Sequence, residues 1–283
     1  MKTNKKLSFT LVAVAMSVLL LTLAGCGGEK AGDEQGSAGG NAEAGASQLD
    51  AIQSKGKLVV GVKFDTKLFG LKNPANDEVE GFDVDIAKAL AKAIVGDETK
   101  IELKEVTSKT RIPMLDNGEI DLIVATMTIT EERREQVDFS EVYFKAGQSL
   151  LVKKGSAIRS IEDIAKGTKV LAVKGSTSVD NIIEAAPDAT VLEFDNYQDA
   201  FSALKAGQGD VLTTDNAILY GMMAQDPGYE VVGEPFTDEP YGIAIKKGET
   251  ALVDAVNAAL AELKESGEYD AIYERWIGEK PTE

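Results

Sequence analysis

Leu115-Asp116-Asn117-Gly118-Glu119-Ile120-Asp121-Leu122 is echoed by Leu204-Lys205-Ala206-Gly207-Gln208-Gly209-Asp210-Val211, with leucine, glycine, aspartate and an apolar residue in matching places. A second echo precedes each of them: Val60-Gly61-Val62-Lys63 matches Leu171-Ala172-Val173-Lys174. Two echoes in the same order predict two lobes of similar topology rather than one enlarged domain.

The segments around these stretches alternate strand and helix patterns. The apolar run Lys57 to Lys63 reads as a buried strand. Asp83 is placed to cap a helix carrying Ile86, Leu90 and Ile94. Ile101 to Val106 alternates like a strand, a helix near Ile112 to Asp116 stops at Asn117-Gly118, and Ile120 to Ala125 reads as the next strand. After Ser149 the pattern restarts, with strands Lys169 to Val173, Thr190 to Phe194 and Asp210 to Thr213, and helices Ser178 to Ala185 and Gln198 to Ala206. Such alternation predicts an α/β fold in which each lobe is a mostly parallel sheet flanked by helices. The second lobe is complete by about Val232. The tail then holds a strand at Tyr241 to Ile245 and a helix striped with Leu252, Val256, Leu260 and Leu263. Beyond Gly267 a second helix groups Tyr269, Ile272, Tyr273 and Trp276 as core positions. A tail free to return to the first lobe implies two crossings, near Tyr143 to Gly147 and Asp238 to Tyr241, and a hinge. The expected division is lobe 1 at 51–145 and 242–283, and lobe 2 at 146–241.

The start of the chain has a processing pattern. Lys2, Lys5 and Lys6 precede an apolar stretch from Leu7 to Ala24 that ends at Leu23-Ala24-Gly25-Cys26, the layout of a signal peptide over 1–25. The lone cysteine at its end resembles the lipid-accepting cysteine of bacterial lipoproteins. An uncleaved membrane helix with an incidental cysteine is the alternative. From Cys26 to Asp50 the chain is Gly, Ala, polar and acidic residues with Leu49 as its one large apolar side chain, so a flexible tether is expected. About 25 such residues span roughly 25–30 Å.

Composition narrows the functions. The formal net charge is −17, and without the three leader lysines it is 27 bases against 47 acids, or −20. Such a surface repels nucleic acid and anionic lipid, so any anion site has to be a local basic pocket. One cysteine and no histidine exclude an internal disulfide, imidazole proton shuttles and the usual zinc sites. No cofactor or metal is expected.

In open parallel sheets, ligands bind beyond the carboxyl ends of the strands, where helix N-termini present free N–H groups. Those positions are Lys63 to Asp65, Arg111, Ala125 to Thr130, Lys174 to Ser178, and Thr214-Asp215. In Thr130-Glu131-Glu132-Arg133, the threonine caps a helix whose third residue can offer its guanidinium to a carboxylate. The plainer reading pairs Arg133 with Glu131 or Glu132 on a solvated surface. Asp215 is either a site carboxylate or the cap of a helix. Lys63 and Lys174 each end a strand, where surface lysines are common.

Four stretches carry a resemblance: Gly81-Phe82-Asp83-Val84-Asp85, Thr128-Ile129-Thr130-Glu131-Glu132-Arg133, Val137-Asp138-Phe139-Ser140 with Tyr143, and Tyr241-Gly242-Ile243-Ala244. From about Leu49 to Gly278 the chain is similar to the family 3 solute-binding proteins of bacterial importers for polar amino acids. The resemblance implies a two-lobe, type II periplasmic-binding-protein fold and a partnership with an ABC permease. It implies that Arg133 holds the ligand α-carboxylate, helped by N–H groups of Thr128 and of the loop at Thr177 or Ser178. Asp215 is implied to pair with the α-ammonium, with the Ala125 or Thr126 carbonyl and the Thr128 hydroxyl. Gly61-Val62-Lys63 and Ser108-Lys109-Thr110-Arg111 look like the aspartate- and glutamate-preferring branch, in which Lys63 and Arg111 meet the distal carboxylate. Two cations in a closing cleft favour an anionic ligand, because buried uncompensated charge costs several kcal/mol. Glutamate or aspartate is therefore expected, with glutamine accepted through its amide oxygen. The expected protein is a monomeric lipoprotein outside the cell, anchored through Cys26 to the membrane's outer face or held in a periplasm, and not an enzyme. Two alternatives are a dehydratase-like enzyme of the same fold, with Asp65 or Asp215 as acid, and a ligand sensor that docks on a receptor.

Overall fold

The computed structural model describes residues 47–278. The expected signal peptide, Cys26 and all of the tether before Ser47 lie outside the described residues. The end of the tether is corrected by the structure, because a helix, Gln48–Lys55, begins inside it. Ser47 and Asp50 form a capping box that satisfies each other's backbone N–H, so helix starts three residues before Ala51.

Two five-stranded sheets form the lobes. The first has the order Ile101–Glu105, Leu58–Val62, Leu122–Ile123, Ala244–Lys246, Val137–Phe139; the second has Thr190–Phe194, Lys169–Val173, Val211–Asp215, Gln148–Lys153, Tyr229–Val232. The first three strands of each are parallel, and the fourth runs antiparallel to both neighbours. The parallel expectation thus holds for the βα half of each sheet. The reversal has one cause in both lobes: the fourth strand is entered directly from a hinge crossing, with no intervening helix to turn the chain around. Gln148–Lys153 comes after Phe144–Ala146, and Ala244–Lys246 after Glu239–Tyr241; these two crossing segments pair antiparallel with Tyr241 opposite Phe144.

Two expected strands are shorter than their apolar runs. Ile120 to Ala125 contributes only Leu122–Ile123 to the ladder, after which the chain leaves into a turn with Thr126 at φ 44°. Tyr241 to Ile245 is interrupted at Gly242-Ile243, where the backbone squeezes past the side chains of Ile129 and Phe139. A Cβ on Gly242 would meet both at under 3 Å.

The first lobe's core is built on Leu58–Val62, buried at every position, and on the helix Phe82–Val95. Helix Thr250–Glu265 buries Leu252, Val256, Leu260 and Leu263 in that core. Each such side chain contributes roughly 1.5–3 kcal/mol. Helix Glu268–Trp276 completes the return: the Trp276 indole donates to Asp85 at 2.7 Å, and the Tyr269 hydroxyl donates to the Tyr143 carbonyl at 2.5 Å beside the hinge. Phe144 and Tyr241, from the two crossings, stack at 5.4 Å among Phe69, Phe82 and Tyr273.

Asp83 does not cap its helix. Gly81 is the N-cap residue, and the Phe82 and Asp83 N–H groups are tied to the Leu68 and Phe69 carbonyls. A side chain on Gly81 would run into the Phe69 carbonyl at 2.2 Å. This close approach turns Asp83 inward, into the core.

Candidate functional site

Thr130 caps the short helix Glu131–Gln136, its hydroxyl accepting the Arg133 N–H at 3.2 Å. Arg133 is buried rather than solvated. Its Nη1 donates to the Thr128 carbonyl at 2.7 Å, and its Nη2 reaches the other lobe to donate to the Gly175 carbonyl at 3.1 Å. The ion pair with Glu131 belongs instead to the next residue, Arg134. Burial holds Arg133 below the usual guanidinium range, an effect that Glu239 and Asp215 oppose.

The turn at Ala125-Thr126 is gripped from two sides. Arg111, 2 % exposed, donates from Nη1 to the Ala125 and Thr126 carbonyls at 2.7 and 3.3 Å. Asp83, fully buried, accepts the Thr126 N–H at 2.9 Å and the Tyr143 hydroxyl at 2.8 Å. A left-handed threonine is unfavourable by itself and persists where its surroundings over-determine it; here a cation holds its carbonyl and a carboxylate holds its N–H. Desolvation pushes Arg111 down to about 9, still charged at neutral pH, with Arg133 adding to the effect.

Lys63 points into the protein, 1 % exposed, with Nζ 2.8 Å from the Ser108 hydroxyl and 5.2 Å from the centre of the Tyr197 ring. The contact crosses between lobes, since Tyr197 opens the second-lobe helix Tyr197–Lys205. Burial lowers Lys63 to about 7 and raises Asp83 to about 7; Asp65 and Asp83 partly restore the lysine, and Tyr143, Thr126 and Lys63 partly restore the carboxylate.

From the second lobe, Asp215 ends the strand Val211–Asp215 and is the N-cap residue of helix Asn216–Gln225, but its side chain makes no capping bond. It faces the cleft and accepts the Tyr241 hydroxyl at 2.5 Å. Desolvation and then Glu239 raise it to about 7. Thr177 and Ser178 are the first two residues of helix Thr177–Ala185, whose first-turn N–H groups have no partner within the helix. The Thr177 hydroxyl donates to Glu239 at 2.8 Å, while Ser178 is buried next to Thr214. Lys174 turns outward and pairs with Asp195 at 2.8 Å.

The two lobes touch along this line. Tyr197 N–H donates to Asp65 at 2.7 Å, and Gly175 passes so close to Lys109 that a Cβ would sit 2.8 Å from its Cα. Among the described residues, four buried side-chain atoms lack any hydrogen-bond partner, and three of them are here: Arg111 Nε, Thr126 Oγ1 and Asp215 Oδ1. One donor, one acceptor and one hydroxyl that does either are the groups a small zwitterion can satisfy. The electrostatic setting is mixed: Lys63, Arg111 and Arg133 are set among Asp65, Asp83, Asp215 and Glu239. Sequence reasoning passed over Asp83, Tyr197 and Glu239 as residues of the site. The last is 2 % exposed on a hinge crossing and accepts from Thr177, Asn181 and Thr237.

Residues 58–279 match the model of the bacterial extracellular solute-binding proteins, family 3. The chain belongs to this family. It is 60 % identical over 97 % of its length to the ABC transporter glutamine-binding protein GlnH of Bacillus subtilis (strain 168), covering 98 % of that protein. It is 35 % identical over 98 % of its length to the glutamate-binding protein GluB of Corynebacterium efficiens, covering 94 % of it. Among solved structures, an ancestral arginine-binding protein bound to glutamine superposes with a TM-score of 0.74 at 47 % identity, over 79 % of this chain and 99 % of that one. The chain is thus a substrate-binding protein of an amino-acid ABC transporter, with the two-lobe type II fold. No helix among the described residues is long and apolar enough to cross a membrane.

Proposed function

We propose that this protein captures glutamine between its lobes and delivers it unchanged to an ABC permease. The observation that carries the choice of glutamine is the charge count around the site. The expectation of glutamate or aspartate rested on Lys63 and Arg111 as two cations without counter-charge. In the fold they share their surroundings with four carboxylates, two of which, Asp65 and Asp83, belong to the same lobe. A neutral distal group then adds no unbalanced charge, whereas a second ligand carboxylate does. The 60 % identity to a protein named for glutamine, against 35 % to one named for glutamate, supports the same reading.

In this reading the Arg133 guanidinium takes the α-carboxylate, with N–H groups of Thr128 and of Thr177 or Ser178. Asp215 takes the α-ammonium through its free Oδ1, near Ala125, Thr126 and the Thr128 hydroxyl. Arg111 Nε and Lys63 donate to the side-chain amide oxygen. Asp65 accepts from the Tyr197 N–H and the Thr66 hydroxyl through both oxygens, and Asp215 is taken by the α-ammonium, so in this reading neither candidate acid of a dehydratase is left for catalysis. Delivery at the outer membrane face is proposed to be aided by a lipid on Cys26 and by a monomeric body on a tether. Loss of acyl labelling in Cys26→Ala would support the anchor, and labelling that survives it would refute it.

The test is calorimetric titration of ligand-free protein with glutamine, glutamate, aspartate, asparagine, arginine and histidine. Glutamine is expected to bind at least about tenfold tighter than glutamate, a difference of about 1.4 kcal/mol. Tighter binding of glutamate would return the site to the acidic-ligand reading, and no binding by any of the six would remove the proposal.

A further inference from the structure

We infer that Asp83 is a specificity-determining residue: a buried counter-charge, out of reach of the ligand, that sets the preference for a side-chain amide over a side-chain carboxylate. The inference rests on the glutamine reading for its direction, but its test does not need that reading to succeed. Both oxygens of Asp83 are already engaged, one by the Thr126 N–H and the other by the Tyr143 hydroxyl. It is committed to these two groups and acts through its charge and through the turn it holds. That turn is the same one whose carbonyls hold Arg111. Asp83 and Arg111 thus sit on opposite sides of one residue, the left-handed Thr126, whose hydroxyl is one of the unpartnered buried atoms of the site.

The other three carboxylates are less able to set selectivity. Asp215 has a ligand-facing oxygen, and Glu239 is spent on Thr177, Asn181 and Thr237. Asp65 supports the charge of Lys63 more strongly than Asp83 does, but it is half-buried and bound to the other lobe through Tyr197, so its substitution disturbs the contact between lobes as well as the charge. Asp83 is fully buried within the first lobe, where solvent does not screen it. Asp83 supports the positive charge of Lys63, and Lys63 the negative charge of Asp83. Removing the carboxylate leaves Lys63 and Arg111 in excess, the condition that favours a ligand with a distal negative charge.

Asp83→Asn keeps the shape and both hydrogen bonds, since the amide oxygen can accept from Thr126 and the amide nitrogen can donate to a rotated Tyr143 hydroxyl. The experiment measures Kd for glutamine and for glutamate in the parent, in Asp83→Asn, in Lys63→Met and in the double variant. The glutamine-to-glutamate affinity ratio is expected to move about tenfold toward glutamate in Asp83→Asn, and back toward the parent value in the double variant. If Asp83→Asn does not fold, the comparison of the double variant with Lys63→Met carries the same expected shift. A merely structural role lowers both affinities together, so that adding Asp83→Asn to the parent or to Lys63→Met changes the ratio by less than about twofold, which would overturn the inference. A parent that prefers glutamate would overturn the glutamine reading alone, because the shift on removing Asp83 is a change of ratio from either starting point.

Discussion

Lys63 and Lys174 end equivalent strands in two sheets of the same topology, yet one is buried at the cleft and the other lies on the surface against Asp195. The difference lies in the path the chain takes after each lysine. Past Lys174 it turns at once through Gly175, at φ 75°, into the helix Thr177–Ala185. Past Lys63 it makes a three-stranded detour, Asp65–Thr66, Gly70–Lys72 and Val79–Glu80, before reaching the helix Phe82–Val95. The detour folds back tightly enough that a Cβ on Gly70 would strike the Lys63 carbonyl at 2.2 Å, and it covers the lysine from solvent. In the proposed reading, two lobes from one plan share the ligand unequally. The first reads the side chain with Lys63, Arg111 and the buried Asp83 and also brings Arg133 to the α-carboxylate; the second brings Asp215 and the helix N-terminus to the part common to all amino acids.

The largest effects should come from the common part. Arg133→Lys and Asp215→Asn are each expected to weaken every amino-acid ligand by about a hundredfold or more. A bidentate grip is not reproduced by an ammonium, and each charge-assisted bond contributes roughly 1.5–3 kcal/mol before the cost of a stranded charge. Affinity within about threefold of the parent in either variant would take that residue out of the site. Next come the first-lobe cations. Arg111→Met and Lys63→Met should hurt glutamate about ten- to a hundredfold more than glutamine, so that selectivity moves with these two cations while changes at Arg133 and in the second lobe lower all ligands. Equal losses for the two ligands would break the division of labour.

The dependence on pH is smaller and separates the two ligands. Asp215 has its proton affinity raised to about 7 and must be ionised to hold an ammonium, so binding releases a proton below that pH. Through Asp215, affinity for both ligands should therefore fall as pH drops through 7, by up to about tenfold per unit. Lys63, lowered to about 7, loses its charge as pH rises through the same point, which should weaken glutamate above pH 7 and spare glutamine. Titrations across pH 5.5–8.5 would show it, and flat profiles for both ligands would contradict it. The smallest effect belongs to Lys174→Ala, expected to leave both affinities within about twofold. A larger loss would mean that the second lobe's lysine reaches the cleft after all.

Much of this was legible in the chain because it depends on local pattern. The echoes at Leu115 and Leu204 and the paired opening strands carry the two-lobe plan, and Thr130 with Arg133 three residues on carries the cap and the guanidinium. Positions at strand ends brought Lys63, Arg111, Ala125, Thr126, Thr128, Ser178 and Asp215 into view, all of them now buried around the cleft. What stayed hidden depends on contacts distant in sequence. Asp83 sits where a helix cap is ordinarily found, and only the packing of Gly81 on Phe69 turns it inward. Tyr197 reads as the start of an amphipathic helix until the other lobe places Lys63 over its ring. The antiparallel fourth strands arise from the hinge crossings, which leave no periodic signal. The acidic-ligand expectation failed to count counter-charge for the same reason: a carboxylate's neighbours across a fold cannot be read from its neighbours along the chain.

The most direct measurement is a crystal structure of the protein grown with glutamine. The ligand is expected between the lobes, its α-carboxylate on the Arg133 guanidinium, its ammonium on Asp215 Oδ1 and its side-chain amide beside Arg111 Nε, so that the unpartnered buried atoms of the site gain partners. A ligand seated elsewhere, or one in the cleft that leaves Arg133 and Asp215 untouched, would contradict it.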